Sequence, residues 1–170
     1  QMGRHLMASP LASSTLAAQA LIIGGNATQT SAWLPKLAEG AIGTLALSEA
    51  HGDWDLQNIT ATAKLEGDAV HLSGEKLFVL WAESADIVIA SVQLDGKPAL
   101  VLLTAEDVKG RLRREAIIDE TKRSFALSLD GLAVSRAALL EVDRATSTLA
   151  HIEQVANLLQ SAEMCGGSQS

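Results

Sequence analysis

The chain has 170 residues, a formal charge of −7, 48% hydrophobic residues and a mean hydropathy of +0.20. That length and apolar content support one core of ordinary size and exclude a disordered polypeptide. No basic cluster accompanies the negative charge, so nucleic acid is not an expected partner; phosphate binding needs Lys and Arg gathered on one face. Aromatic residues make up 3%, namely Trp33, Trp54, Trp81, Phe78 and Phe125. The core must therefore be built from Leu, Ile, Val and Ala. Cys165 is the single cysteine and allows no internal disulfide, which fits a reducing cytoplasm. No apolar run reaches the roughly 18 residues of a membrane span, so no membrane insertion is expected. The opening Gln1-Met2-Gly3-Arg4 lacks the charged-then-apolar order of a signal peptide.

In chain order, Ser14 to Ile23 is rich in Ala and Leu and predicts a buried helix. Ser13 or Ser14 is placed to cap it, and Gly24-Gly25 to stop it. Asn26 to Leu37 predicts a second helix, with Ala27, Thr30, Trp33, Leu34 and Leu37 on one face and an expected break at Pro35.

From Ile42 the period shifts toward strands. Thr44 to Ser48 is a short apolar run. Ile59 to Leu65 and Ala69 to Ser73 flank the turn Glu66-Gly67-Asp68 and predict a hairpin. Leu77 to Trp81 is β-rich. Asp95-Gly96 lies between Ile87–Gln93 and Pro98–Thr104, the strongest hairpin signal in the chain. Arg113 to Ile118 and Ser124 to Leu129 complete the set. Short strands at intervals of roughly 8–12 residues predict a β-barrel or two packed sheets. From Arg144 a helical stripe returns through Leu149, Ile152, Val155, Ala156, Leu159 and Met164. That helix is expected to find little in this chain to pack against.

His5, His51, His71 and His151 have no ligand spacing with one another or with Cys165, so no metal site is expected. Neither Gly24-Gly25 nor Gly166-Gly167 sits between a strand and a helix, as a dinucleotide-binding turn requires. Glu115, Asp119 and Glu120 among Arg111, Arg113, Arg114, Lys122 and Arg123 read most simply as a solvated charged surface. The alternative is an arginine contact with a ligand's phosphates or with a neighbouring subunit.

Five blocks in order carry a family resemblance. Gly3-Arg4-His5-Leu6 followed by Pro10 is similar to "GRxLxxxP", on which the N-terminus reads as native sequence. Trp33-Leu34-Pro35-Lys36-Leu37-Ala38-Glu39-Gly40 followed by Thr44-Leu45-Ala46-Leu47-Ser48-Glu49 resembles "wLPxlaxG" leading into "aLTEP". Ser73-Gly74-Glu75-Lys76-Leu77-Phe78-Val79-Leu80-Trp81, followed by Ala85-Asp86, resembles "NGxKxWITN" and its Ala-Asp pair. Asp119 to Arg123 and Leu129 to Val134 are similar to a late β-domain strand, and Ala162 to Gly167 to a first C-terminal helix. Together they resemble the acyl-CoA dehydrogenase family, in a divergent, actinobacterial-type form.

The resemblance implies an α+β fold. An antiparallel β-barrel or two-sheet middle domain, residues 42–142, would follow the end of an N-terminal helical domain, 1–41. The first helix of a C-terminal helical domain, 143–170, would come last. It implies FAD as cofactor, an acyl-CoA substrate, an electron-transfer flavoprotein as acceptor, and a homo- or hetero-oligomer. The reaction implied is α,β-desaturation of the thioester, with the β-hydride passing to flavin N5. The cofactor contacts would be Leu45, Leu47, Ser48, Phe78 and Leu80. Ser48 keeps the hydroxyl of the family Thr, whereas Leu80 lacks one. Trp54 falls where the family's "EPGAGSD" loop has a small Ser against the substrate. No catalytic residue is assigned: the carboxylate base is expected in a segment beyond this chain, and Glu49, Glu163 and Asp119 are not candidates. Trp54 and Leu80 motivate the alternative of a non-catalytic partner subunit. A stand-alone β-barrel binding module is a third reading, disfavoured by the final helix.

Overall fold

A computed structural model describes residues 8–168; the Gly3-Arg4-His5-Leu6 block lies outside them. The element order is α1 (Leu11–Gly24), α2 (Ala27–Ala38), β1 (Gly43–Ala46), β2 (Thr62–Glu66), β3 (Ala69–Ser73), β4 (Glu75–Leu80), β5 (Ile87–Leu94), β6 (Lys97–Thr104), α3 (Ala105–Val108), β7 (Leu112–Arg114), β8 (Ser124–Ser128), β9 (Leu132–Ser135) and α4 (Ala145–Gly167).

Two hairpins form where turn chemistry demands them. Gly67, at φ 63°, links antiparallel β2 and β3. Asp95 and Gly96, both at positive φ, link β5 and β6 across an unbroken antiparallel ladder. Around β5 a six-stranded sheet assembles. β6 runs along one side of β5, while β1 pairs with its first half and β2 with its end, both in parallel. β3 and β9 extend the sheet beyond β2. A second sheet has the order β4-β8-β7. The α+β, two-sheet architecture expected from the sequence is thus present. The larger sheet is mixed rather than antiparallel, and its strand order is an open path rather than a closed barrel.

β5 and β6 are buried nearly throughout, because α1 lies on β1 and β5 while α4 lies on β6 and α1. Helices and sheets share one hydrophobic cluster that includes Ala17, Leu21, Leu149 and Ile152. The start of α4 therefore has a partner in the chain, contrary to expectation. His151 Nε2 and Gln19 Oε1, 2.9 Å apart, add a polar link between α4 and α1. Further along α4, Leu158 and Met164 are exposed.

Two local expectations are corrected. Pro10, not Ser13 or Ser14, stands at the N-cap of α1. Ser14 lies inside that helix, and its hydroxyl accepts from the Gly43 N–H at 3.2 Å, tying helix to strand. Pro35 does not break α2, because it sits in the last turn, where its missing N–H forfeits only one helical bond. The start of α2 is fixed by a reciprocal cap between Asn26 and Gln29. The Gln29 amide then donates to the carbonyls of Ala137 and Leu139.

α1 approaches β1 so closely that a Cβ on Gly43 would stand 2.7 Å from the Ala17 Cβ. Gly43→Ala should therefore push helix and strand apart and lower stability by about 1–3 kcal/mol. Chemical denaturation checks this; an unchanged midpoint would show that the contact gives way freely.

Candidate functional site

The segment after β1 and the strand β4 meet at a single antiparallel bridge. The Leu77 N–H donates to the Ser48 carbonyl at 2.9 Å. At the other end of the contact the Thr44 hydroxyl donates to the Leu80 carbonyl at 2.6 Å. Ser48 is exposed, Leu45, Leu47 and Leu80 are partly buried, and Phe78 is 55% exposed. The structure thus places Ser48 opposite Leu77, the residue before Phe78.

β4 is not a regular strand. Its register on β8 shifts between Lys76 and Val79, and Phe78 has φ 55°. This is a bulge in which an aromatic residue occupies the left-handed region, at a cost of about 1–3 kcal/mol. Trp81, at φ 62°, ends the strand, and its N–H donates to the Arg123 carbonyl at 2.7 Å.

Beneath the bridge lies a buried ion pair. Lys76 is 0% and Glu49 3% exposed, and the Lys76 ammonium donates to Glu49 Oε1 at 2.5 Å. It also donates to the Ser91 hydroxyl of β5 at 2.9 Å. The second carboxylate oxygen accepts from the Thr60 hydroxyl and, at 2.8 Å, from the Thr60 N–H, while the Ala61 N–H reaches Oε1 at 3.0 Å. His51 Nδ1 accepts from the Asp53 N–H at 3.1 Å. The ring proton is accordingly assigned to Nε2, which stands 3.4 Å from Glu49 Oε2. Burial by itself would raise the Glu49 carboxyl. The hydrogen bonds from Lys76, Thr60 and Ala61 and the Lys76 charge outweigh it and hold the group at about 2. Burial pushes the Lys76 ammonium below its ordinary value, against the opposing pull of Glu49.

The loop from Ala50 to Asn58 is braced by its own acids. Asp53 accepts from the Asp55 N–H and the Asn58 amide, and Asp55 accepts from the Gln57 N–H. The first two bonds keep the Asp53 carboxyl below its usual range. Trp54 is 91% exposed on this loop, so it does not cover the end of a sheet and packs on no wall residue.

A cavity of about 580 Å³ opens between α1 and α4. Leu11, Leu16, Ala156 and Leu159 line it from the helices, and Leu80 and Trp81 from the end of β4. Lys122 and Glu163 add charges to its lining. Among the described residues, no group of three or more His, Cys, Asp or Glu is placed to hold a metal ion. Nor, among them, is any helix long and apolar enough to cross a membrane. Arg113 with Glu75, Lys122 with Asp119 and Arg123 with Glu83 form ion pairs on exposed surface.

No family model matches the chain. Bovine mitochondrial isovaleryl-CoA dehydrogenase is 33% identical over 85 residues, which are 49% of this chain and 20% of that enzyme. A steroid acyl-CoA dehydrogenase structure superposes on 91% of this chain and 41% of its own, with TM-score 0.75 and 27% identity. A glutaryl-CoA dehydrogenase of Mycobacterium smegmatis, solved in complex with FADH2, covers 92% of this chain and 40% of its own. Its TM-score is 0.77 at 20% identity. The chain is similar to acyl-CoA dehydrogenases in sequence over about half of its length and in fold over most of it. It spans less than half the length of the relatives it matches.

Three features of this candidate site escape a reading of the sequence alone. Glu49 and Lys76 lie in matched blocks, but nothing in the pattern marks them as a buried pair. Trp81 is legible as the end of a β-rich run, not as a cavity wall. Glu115, in a charged stretch, accepts from the Phe78 N–H at 2.9 Å.

The Glu49 carboxyl titrates lower in the folded chain than its ordinary 4.5. Its contribution is therefore complete above about pH 4.5 and is lost as pH falls toward 2. Glu49→Gln should lower stability at neutral pH by about 3 kcal/mol, because Lys76 stays buried without its counter-charge. It should also flatten the acid limb. Urea denaturation across this range tests both; an acid limb identical to wild type would remove Glu49 as its source.

Proposed function

We propose that this chain supplies the flavin-side part of an FAD-dependent acyl-CoA dehydrogenase that desaturates an acyl-CoA thioester between Cα and Cβ. The observation that carries the reading is the Ser48–Leu77 bridge, which sets the two family blocks side by side with Phe78 exposed between them. A planar tricycle with one polar edge needs an apolar wall and a nearby hydroxyl. Phe78, Leu80, Leu45 and Leu47 offer the first, and the exposed Ser48 the second, so the residues present fit the group. The relative solved with FADH2 supports the choice of cofactor. Once bound, FAD supplies the acceptor for the β-hydride.

The protein's share is orientation and exclusion of water. The cavity between α1 and α4 is mostly apolar and ends at Leu80 and Trp81, next to the wall. It suits an acyl group laid with its reacting carbons toward Phe78. Removing the α-proton needs a carboxylate within hydrogen-bonding reach of the substrate. Glu49 does not qualify, being buried and committed to Lys76, Thr60 and Ala61. On the family resemblance, the base is expected from a segment outside these 170 residues. An electron-transfer flavoprotein would take up the electrons.

A second reading rests on Leu80 and Trp54. Leu80 replaces a hydroxyl-bearing residue of the family pattern, and Trp54 puts an indole where that pattern has a small side chain. Both fit a partner subunit that binds FAD and assembles with a catalytic chain.

Two measurements test these readings. The protein expressed from its full gene should carry a flavin absorption spectrum and form an enoyl-CoA with an artificial electron acceptor. Flavin without turnover would favour the partner-subunit reading, and no flavin in any assembly would end both. In an active protein Phe78→Ala should weaken FAD binding about tenfold, as loss of one well-packed aromatic contact would. Glu163→Gln should change turnover less than about threefold, whereas removal of a general base costs about a hundredfold or more. A loss of that size would move the base onto α4.

A further inference from the structure

At the β4 bulge the sheet fails to satisfy its own backbone. Lys76 is paired with Leu127 and Val79 with Phe125, so the intervening Leu77 and Phe78 lie outside the β4–β8 ladder. Leu77 finds an acceptor in Ser48, across on the β1 side. Phe78 finds none in either sheet. Instead its N–H donates to Glu115 Oε2 at 2.9 Å, and the same oxygen accepts from the Ser124 hydroxyl at 2.8 Å. The Glu115 N–H in turn donates to the Ser124 carbonyl at 3.0 Å, which fixes the root of the side chain just beyond β7.

We propose that Glu115 is a positioning residue for the cofactor wall: its carboxylate replaces the missing sheet acceptor, locks Phe78 in the left-handed conformation and turns the ring outward toward a planar ligand. Lys76, anchored to Glu49 and Ser91, holds the strand just before the bulge, and Glu115 holds it from the opposite sheet edge. The identity of the ligand rests on the flavin reading above. The locking of the bulge does not.

Glu115 is only half buried, so its replacement leaves the core intact. The test compares Glu115→Ala and Glu115→Gln in the full chain, with and without FAD. Glu115→Ala should move Phe78 to negative φ in a crystal structure, raise the FAD dissociation constant about tenfold and alter the visible circular dichroism of the bound flavin. Glu115→Gln retains a carbonyl acceptor and should restore all three toward wild type. A Glu115→Ala protein with wild-type φ at Phe78 overturns the proposal, as does one with wild-type flavin affinity and dichroism. Equal losses in both variants would also overturn it, since they would make the negative charge, rather than the acceptor, the active feature. Should the wild-type protein bind no FAD, the flavin reading fails by itself. The backbone of Phe78 in the two apo variants then decides the role of Glu115.

Discussion

The contact between the two sheets depends on a buried charge pair. Lys76 starts β4, Glu49 ends the segment that follows β1, and Ser91 lies in the middle of β5. One ammonium group thus joins three pieces of backbone from both sheets. The desolvation cost of such a pair is offset only when every remaining lone pair and proton finds a partner. Thr60, Ala61 and Ser91 supply further partners for the pair. Because the two charged residues are sequence neighbours of the bridge residues Leu77 and Ser48, the pair fixes the surface as well as the core. A hydrophobic pair of the same volume would fill the space without fixing the register.

That constraint explains why an irregular strand persists at the candidate site. A strand with perfect alternation would put Lys76, Phe78 and Leu80 on one face. The ammonium has to point inward to Glu49, while the Phe78 ring is exposed. Inserting a bulge resolves the conflict by shifting parity between Lys76 and Val79, which are both buried. The backbone strain sits where an exposed aromatic ring is useful, as strained conformations often do.

How much could be read in advance follows from the range of each interaction. Both hairpins were legible because Glu66-Gly67-Asp68 and Asp95-Gly96 announce their turns within a few residues. The second helix was legible through its hydrophobic face, although the break expected at Pro35 does not occur. The parallel pairing of β1 with β5 was not legible, since it joins residues more than forty positions apart without a local signal. The family blocks pointed to Ser48 and Phe78, and the structure brings them together through Leu77. They could not reveal Glu115, whose role arises only from a gap in the β4–β8 ladder. Nor could they show that α4 begins on α1, because Gly24 and Thr148 meet only in the folded chain.

The placement of β1 has a bearing on how the chain assembles. Its ladder partner begins at Ile87, so a nascent chain carries β1 without a neighbour until β5 has been made. Through that interval the strand surface beneath α1 is incomplete, because β5 forms part of it. The order of synthesis and the order of docking are therefore opposed: β5 and β6 zip locally first, and the earlier helix and strand must wait for them. Topologies rich in such distant partners fold slowly, with apolar segments uncovered for longer.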